Sequence, residues 1–245
     1  MDEPVLEPAP PIYDLPGFHE PFSAISHLLG AAIFLFLGCL LLLKGRRNPS
    51  GLPYLGVYAF SVVLLLSMSG VYHMMIRGGA AHAVMERLDH SAIFVLIAGT
   101  FTPAQGILFH GRQRWIPLVL IWAIGITGIT LKAIFIRYLP EWTGLVFYLG
   151  MGWLGIFGGV QLGRRYGFNF VKPLVFGGLA YSIGAVFEFL QWTVLVPGVI
   201  HAHELFHVAV LMGVVWHWLF IWQFADGDPA LRAHHMAHPS ASKET

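Results

Sequence analysis

Charge is what this chain has least of. Asp, Glu, Lys and Arg make up 11% of its 245 residues, where a soluble globular domain carries roughly 25%. So few charges cannot build a water-facing shell, which excludes a soluble enzyme fold. The net charge of +1 leaves no electrostatic footprint for a nucleic acid. The single cysteine, Cys39, excludes an intramolecular disulfide framework and a Cys-rich zinc module. Disorder is excluded as well, because 56% of the residues are hydrophobic and 14% aromatic, far too many for a chain that stays unfolded. The N-terminus, MDEPVLEPAPPIYDLPGFHEP, lacks a basic segment followed by an apolar run, so it does not read as a signal peptide.

What is present is a recurrence of apolar stretches about 20 residues long, the length that crosses a bilayer as a helix. Seven such spans are expected near 22–43, 54–76, 90–109, 115–136, 142–162, 172–193 and 203–224. The fold class is therefore all-α, a polytopic seven-transmembrane-helix bundle over 22–224. An extended tail is expected at 1–21 and a flexible one at 225–245. His234, His235 and His238 fall in the second tail, where nothing fixes a metal-binding geometry. Short loops make sequential helices antiparallel neighbours. Gly155, Gly159 and Gly163 recur at spacing four, a row that lets helix backbones approach.

Lys and Arg set the orientation. The side that holds the N-terminus carries Arg77, Arg87, Lys132 and Arg137. The opposite side carries Lys44, Arg46, Arg47, Arg112, Arg114, Arg164, Arg165, Lys172, Arg232 and Lys243. The positive-inside rule then puts the C-terminus in the cytoplasm and the N-terminus outside. For a bacterial cell that membrane would be the inner one.

Ionisable residues at mid-membrane cost about 2.5–3.5 kcal/mol each, so they usually face the bundle interior and serve a purpose. Here they gather at one level. His27 is near the start of span 1, Ser69 and His73 near the end of span 2, and Asp89 and His90 at the start of span 3. Glu188 and Gln191 end span 6, and His203, Glu204 and His207 open span 7. Alternating topology brings all of them to the N-terminal side. His203 and His207 are four apart and share one helix face, the usual way for one helix to give two imidazoles to one zinc. His73 can supply a third, with Ser69 one turn away. Three His plus an open position is a catalytic zinc pattern, although such a site can also be purely structural. A lone intramembrane His is more often a hydrogen-bonded interior residue, and His27 reads that way or as a partner behind the ligands. Glu188 suits either a carboxylate that orients a ligand His or an internal hydrogen bond. His217 lies about 15 Å along the helix from His207, too far to share a metal.

His203-Glu204-Leu205-Phe206-His207 also reads as H-E-x-x-H, the zinc-protease pattern with Glu as base. An intramembrane protease would need a third ligand. Asp226, 19 residues past His207, lies roughly 28 Å away on a continuous helix and cannot be it.

The wider pattern resembles the hemolysin III family, the prokaryotic branch of the progestin and adipoQ receptors. The resemblance rests on Ser69-x-x-x-His73, Arg87-Leu-Asp89-His-Ser-Ala-Ile-Phe, Ala98-Gly-Thr-Phe-Thr-Pro103 and His203-x-x-x-His207. His27-Leu-Leu-Gly30 and Met151-Gly-Trp-Leu-Gly155 fit as well, and the match runs from about residue 20 to 225. It implies seven helices with Zn2+ on His73, His203 and His207, and with Asp89 and Ser69 beside the water on the metal. The related receptors and alkaline ceramidases form a superfamily of presumed intramembrane hydrolases of lipid amides. The expected function is thus hydrolysis of a lipid amide or ester, with a membrane lipid as substrate and Asp89 as base. Glu204 is an alternative base, since the family pattern does not require a carboxylate there. The competing readings are a receptor-like or membrane-homeostasis protein with structural zinc, a haemolytic pore, and the protease. A pore calls for a polar stripe through the full thickness, and the polar residues are expected to stop in one half.

Overall fold

The computed structural model describes residues 17–191, 195–196 and 200–230. His234, His235 and His238 lie outside the described residues, as do most of the two expected tails. Eight α-helices follow one another: α1 (Pro21–Gly45), α2 (Leu52–Met74), α3 (Gly79–Leu108), α4 (Gly111–Phe135), α5 (Glu141–Trp153), α6 (Gly155–Tyr166), α7 (Phe168–Leu190) and α8 (Ala202–Trp222). No strand occurs among the described residues. Helices α5 and α6 are one span, Trp142–Tyr166, broken at Leu154 among Gly150, Gly152 and Gly155. The described chain therefore has 7 helical spans long and apolar enough to cross a membrane, and the protein is a multi-pass membrane protein.

The helix limits have local causes. Pro21 sits at the start of α1 and Pro53 at the start of α2, where a missing N–H costs no intrahelical bond. The chain turns from α2 into α3 through Gly78 and Gly79 at φ 93° and 82°, a region that favours glycine. The one large departure from the sequence reading is α3. It begins at Gly79, not near residue 90. Residues 79–89, GAAHAVMERLD, are rich in helix formers, but their charges hide them from a search for apolar runs. Asp89 therefore lies about 15 Å along α3 instead of opening it.

Sequential helices pack as neighbours, α8 returns to α1 to close the ring, and α3 also touches α8. The span α3 is the most buried and α5–α6 the least. Phe34, Leu41, Leu55, Tyr58, Leu66, Val214, Phe220 and Ile221 form the centre of the packed core. Outward faces are apolar too: Phe36, Phe60 and Phe157 are 63%, 63% and 69% exposed. In water such patches would drive association, whereas in a bilayer they meet lipid tails. The glycine row packs within the chain, because Cβ atoms on Gly159 and Gly163 would touch Leu174 and Val171 of α7.

Both expected tails are held where they are described. Residues 17–20 lie against the end of α2, with the Glu20 N–H donating to the His73 carbonyl at 2.9 Å and the His19 N–H to that of Met74 at 3.3 Å. Residues 225–230 are docked rather than free. Asp228 accepts from Arg165 and from the Tyr166 hydroxyl, both at 2.7 Å, and from the Ala230 N–H at 2.8 Å. Lys44 donates to the Trp222 carbonyl at 2.5 Å and pairs with Asp226 at 3.7 Å. Burial of Phe224 and Ala225 draws this segment onto the bundle. Asp226 is thereby fixed at the end of the molecule away from His207, as its spacing requires.

Candidate metal centre

His73 is the penultimate residue of α2, and His203 and His207 lie in the first two turns of α8. The antiparallel ring puts these two helix ends on the same side. One ring nitrogen from each of the three falls within 4.8 Å of the others, a grouping that can hold a metal ion. Nε2 of His203 stands 3.0 Å from Nε2 of His207 and 3.4 Å from Nε2 of His73. His73 and His207 are 4% and 2% exposed, so both rings are withdrawn from the surface.

The other ring nitrogens explain why these atoms face one another. Nδ1 of His73 bonds a carboxylate oxygen of Glu20, and Nδ1 of His203 bonds Oε1 of Glu188 at 3.1 Å. An ionised carboxylate only accepts, so each Nδ1 carries the proton. The Nε2 atoms of the two rings thus face each other at 3.4 Å, on the side where a cation could be held. Imidazoles that converge at the front, with carboxylates behind, form the arrangement that holds a transition-metal ion. Glu20 stays ionised at any physiological pH. Burial pushes its carboxyl up, but the hydrogen bonds to His73 and Arg77 outweigh that and hold it at about 2. Arg77 donates to its second oxygen at 2.6 Å.

The other expected site residues take distinct places. Asp89 is buried on α3 beside the Ser69 side chain and within electrostatic reach of His73 and His203. Glu188 stands behind His203. His27 stacks face to face on His207, with ring centroids 4.0 Å apart and planes at 29°. It thus offers a π face and not a lone pair, and both of its nitrogens are buried without a partner among the described residues. The Glu204 carboxylate is occupied elsewhere. It accepts the His201 N–H at 2.8 Å, capping α8, and the Ser23 hydroxyl at 3.3 Å.

All of these groups line one cavity of about 1780 Å³. From Glu20 and Arg77 it passes Leu65, Leu96, Ile97 and Phe101 and reaches Phe109, Val171 and Phe220 near the opposite end. Its walls are mainly apolar. Polar side chains do not stop in one half, however, since Gln105 and His217 line the far part. Sequence reasoning missed Glu20 and Arg77, which sit in segments without periodicity. A carboxylate beside the first proline of span 1, on the same membrane side as the His cluster, was the available signal.

The profile of the family described as "Haemolysin-III related" matches residues 18–218. "Hemolysin-3" of Bacillus cereus is 34% identical over 196 residues, 79% of this chain and 86% of that protein. "Hemolysin-3 homolog" of Bacillus subtilis (strain 168) is 31% identical over 169 residues, 69% of this chain and 79% of that protein. A plant protein, "Heptahelical transmembrane protein 1" of Arabidopsis thaliana, is 24% identical, with 86% and 71% of the two chains covered.

Proposed function

Since this chain belongs to the haemolysin-III related family, we propose that it is a zinc-dependent intramembrane hydrolase of a lipid amide or ester. One observation carries the reading: three imidazole nitrogens converge, two of them backed by carboxylates, at the head of an apolar cavity. Three neutral imidazoles with an open fourth position suit zinc better than the hard, oxygen-seeking cations. His73, His203 and His207 would hold the ion. Bound there, zinc would supply Lewis acidity, which makes water a nucleophile near neutral pH and polarises a carbonyl.

The remaining chemistry belongs to the protein. Glu20 and Glu188 fix the tautomers and ring planes of His73 and His203. The Asp89 carboxylate accepts the proton of the attacking water and returns it to the departing amine or alkoxide. Ser69, beside Asp89, donates to the oxygen that gains charge. Engagement of Glu204 in the α8 cap favours Asp89 over it as base. The acyl chain enters the cavity from lipid, so no step requires its transfer into water. The charge count favours the outer half of the membrane for this centre.

Metal content of the detergent-purified protein tests the reading. The expected result is about one zinc per chain, lost in His207→Ala and kept in Asp89→Ala. Hydrolysis of a ceramide-like amide or a phospholipid ester should disappear in both variants. A correctly folded wild type without stoichiometric metal would overturn it. A wild type that holds zinc, hydrolyses neither lipid class and tolerates Asp89→Ala in every assay would favour a structural metal instead.

A further inference from the structure

The far part of the cavity holds a second group of polar side chains. Gln105 is 6% exposed, lines the cavity, and its Oε1 has no hydrogen-bond partner. The Tyr181 hydroxyl, also on the cavity, is buried and likewise unpartnered. His217, beside Tyr181, lines the same cavity. Its Nδ1 donates to the Gly213 carbonyl at 2.7 Å, and its ring stacks on Tyr181 at 5.3 Å with planes at 20°. Glycines make room for each ring. A Cβ on Gly177 would strike the His217 imidazole, one on Gly213 the Tyr181 ring, and one on Gly158 would press on the Gln105 amide at 3.3 Å. These side chains are thus held in slots in the cavity wall.

An unpartnered buried amide oxygen or hydroxyl is a standing penalty that apolar residues would avoid. An ordinary acyl chain does not relieve it. His217 lies ten residues beyond His207 on one helix, about 15 Å away. That is close to half the roughly 30 Å hydrocarbon core, hence close to the reach of one acyl chain.

We propose that Gln105, Tyr181 and His217 form a second binding station for a neutral hydroxyl or keto group carried about 15 Å along a lipid chain whose head lies at the histidine centre. The station selects an oxygenated chain over a plain one. This deepens the lipid reading above, because it assumes that a chain lies in the cavity, but it does not depend on metal or on hydrolysis.

The test compares binding of octadecanoate and 12-hydroxyoctadecanoate to the full-length protein in nanodiscs, by displacement of a fluorescent fatty acid. The hydroxy acid should bind roughly three- to tenfold more tightly, the worth of one net hydrogen bond. Tyr181→Phe, which keeps the stacked ring, and Gln105→Leu should each reduce that preference, and Gly56→Ala, away from the cavity, should retain it. Equal binding of the two acids, a preference that neither substitution moves, or no binding of either acid would overturn the proposal. Absence of zinc or of hydrolysis in the wild type with the preference intact would bear only on the hydrolase reading.

Discussion

At the scale of the residue, the centre depends on atoms behind the histidines as much as on the histidines themselves. Glu188 accepts from Nδ1 of His203 at 3.1 Å, so Glu188→Gln removes the charge that fixes the ring and makes it a better ligand. Zinc affinity, measured against a competing chelator, should fall about 10- to 100-fold while the helical circular dichroism stays unchanged. An unchanged affinity would mean that Glu188 is only an internal hydrogen-bond partner. Asp89→Asn should separate differently. It leaves the imidazole set complete, so metal content should persist, but the proposed proton acceptor is gone and turnover should drop by about 10²–10⁴-fold. A variant that keeps near-wild-type turnover would remove Asp89 from the chemistry. The grouping of His73, His203 and His207 was legible in the sequence, because residues four apart on one helix share a face and the ends of α2 and α8 lie on the same side. Glu20 was not legible. It reaches His73 through pairing of residues 19 and 20 with the end of α2, a contact between segments that share no periodic pattern.

At the scale of the element, close approach of helices is set by where glycine lacks a Cβ. Two glycines of α2 make opposite cases. A Cβ on Gly70 would lie 2.6 Å from Cγ of Leu28 and 3.1 Å from its backbone nitrogen, whereas one on Gly56 would meet nothing within 4 Å. Gly70→Ala must therefore push α1 from α2 one turn below His73, and a loss of about 1–3 kcal/mol is expected from overpacking. Gly56→Ala should be neutral or stabilising by about 0.5–1 kcal/mol, since alanine favours the helix. Thermal unfolding in detergent, followed by tryptophan fluorescence, checks the pair. Equal effects would show that the α1–α2 contact yields without cost. Elements were readable where hydrophobic length dominates and misread where it does not. Helix α3 runs through Glu86, Arg87 and Asp89 on helix propensity and tertiary support, and α5–α6 breaks among glycines that leave the hydropathy high.

At the scale of the whole molecule, two questions meet: which way the bundle faces, and whether its cavity conducts. Named relatives are called hemolysins, and the cavity extends through much of the bundle. Between Ser69 and Gln105, however, its walls include Leu65, Leu96, Ile97 and Phe101, and the Thr100 hydroxyl is spent on the Leu96 carbonyl, a mainly apolar stretch that suits an acyl chain better than a hydrated ion. Purified protein in liposomes should therefore give no ion flux above empty vesicles, and flux that persists in His207→Ala would restore the pore. The proposed orientation rests on the basic pairs Arg46–Arg47, Arg112–Arg114 and Arg164–Arg165, which cluster at the ends remote from the histidines. Each such end resists transfer across the membrane. A C-terminal green fluorescent protein fusion should fluoresce and a C-terminal alkaline phosphatase fusion should be inactive, because only the cytoplasm supports the first and excludes the second. The reverse pair of results would turn the bundle over and set the histidine centre in the cytoplasmic half. The lipid it meets would then come from the inner leaflet and its metal from the cytoplasm, so the outcome decides which leaflet supplies substrate in any activity screen.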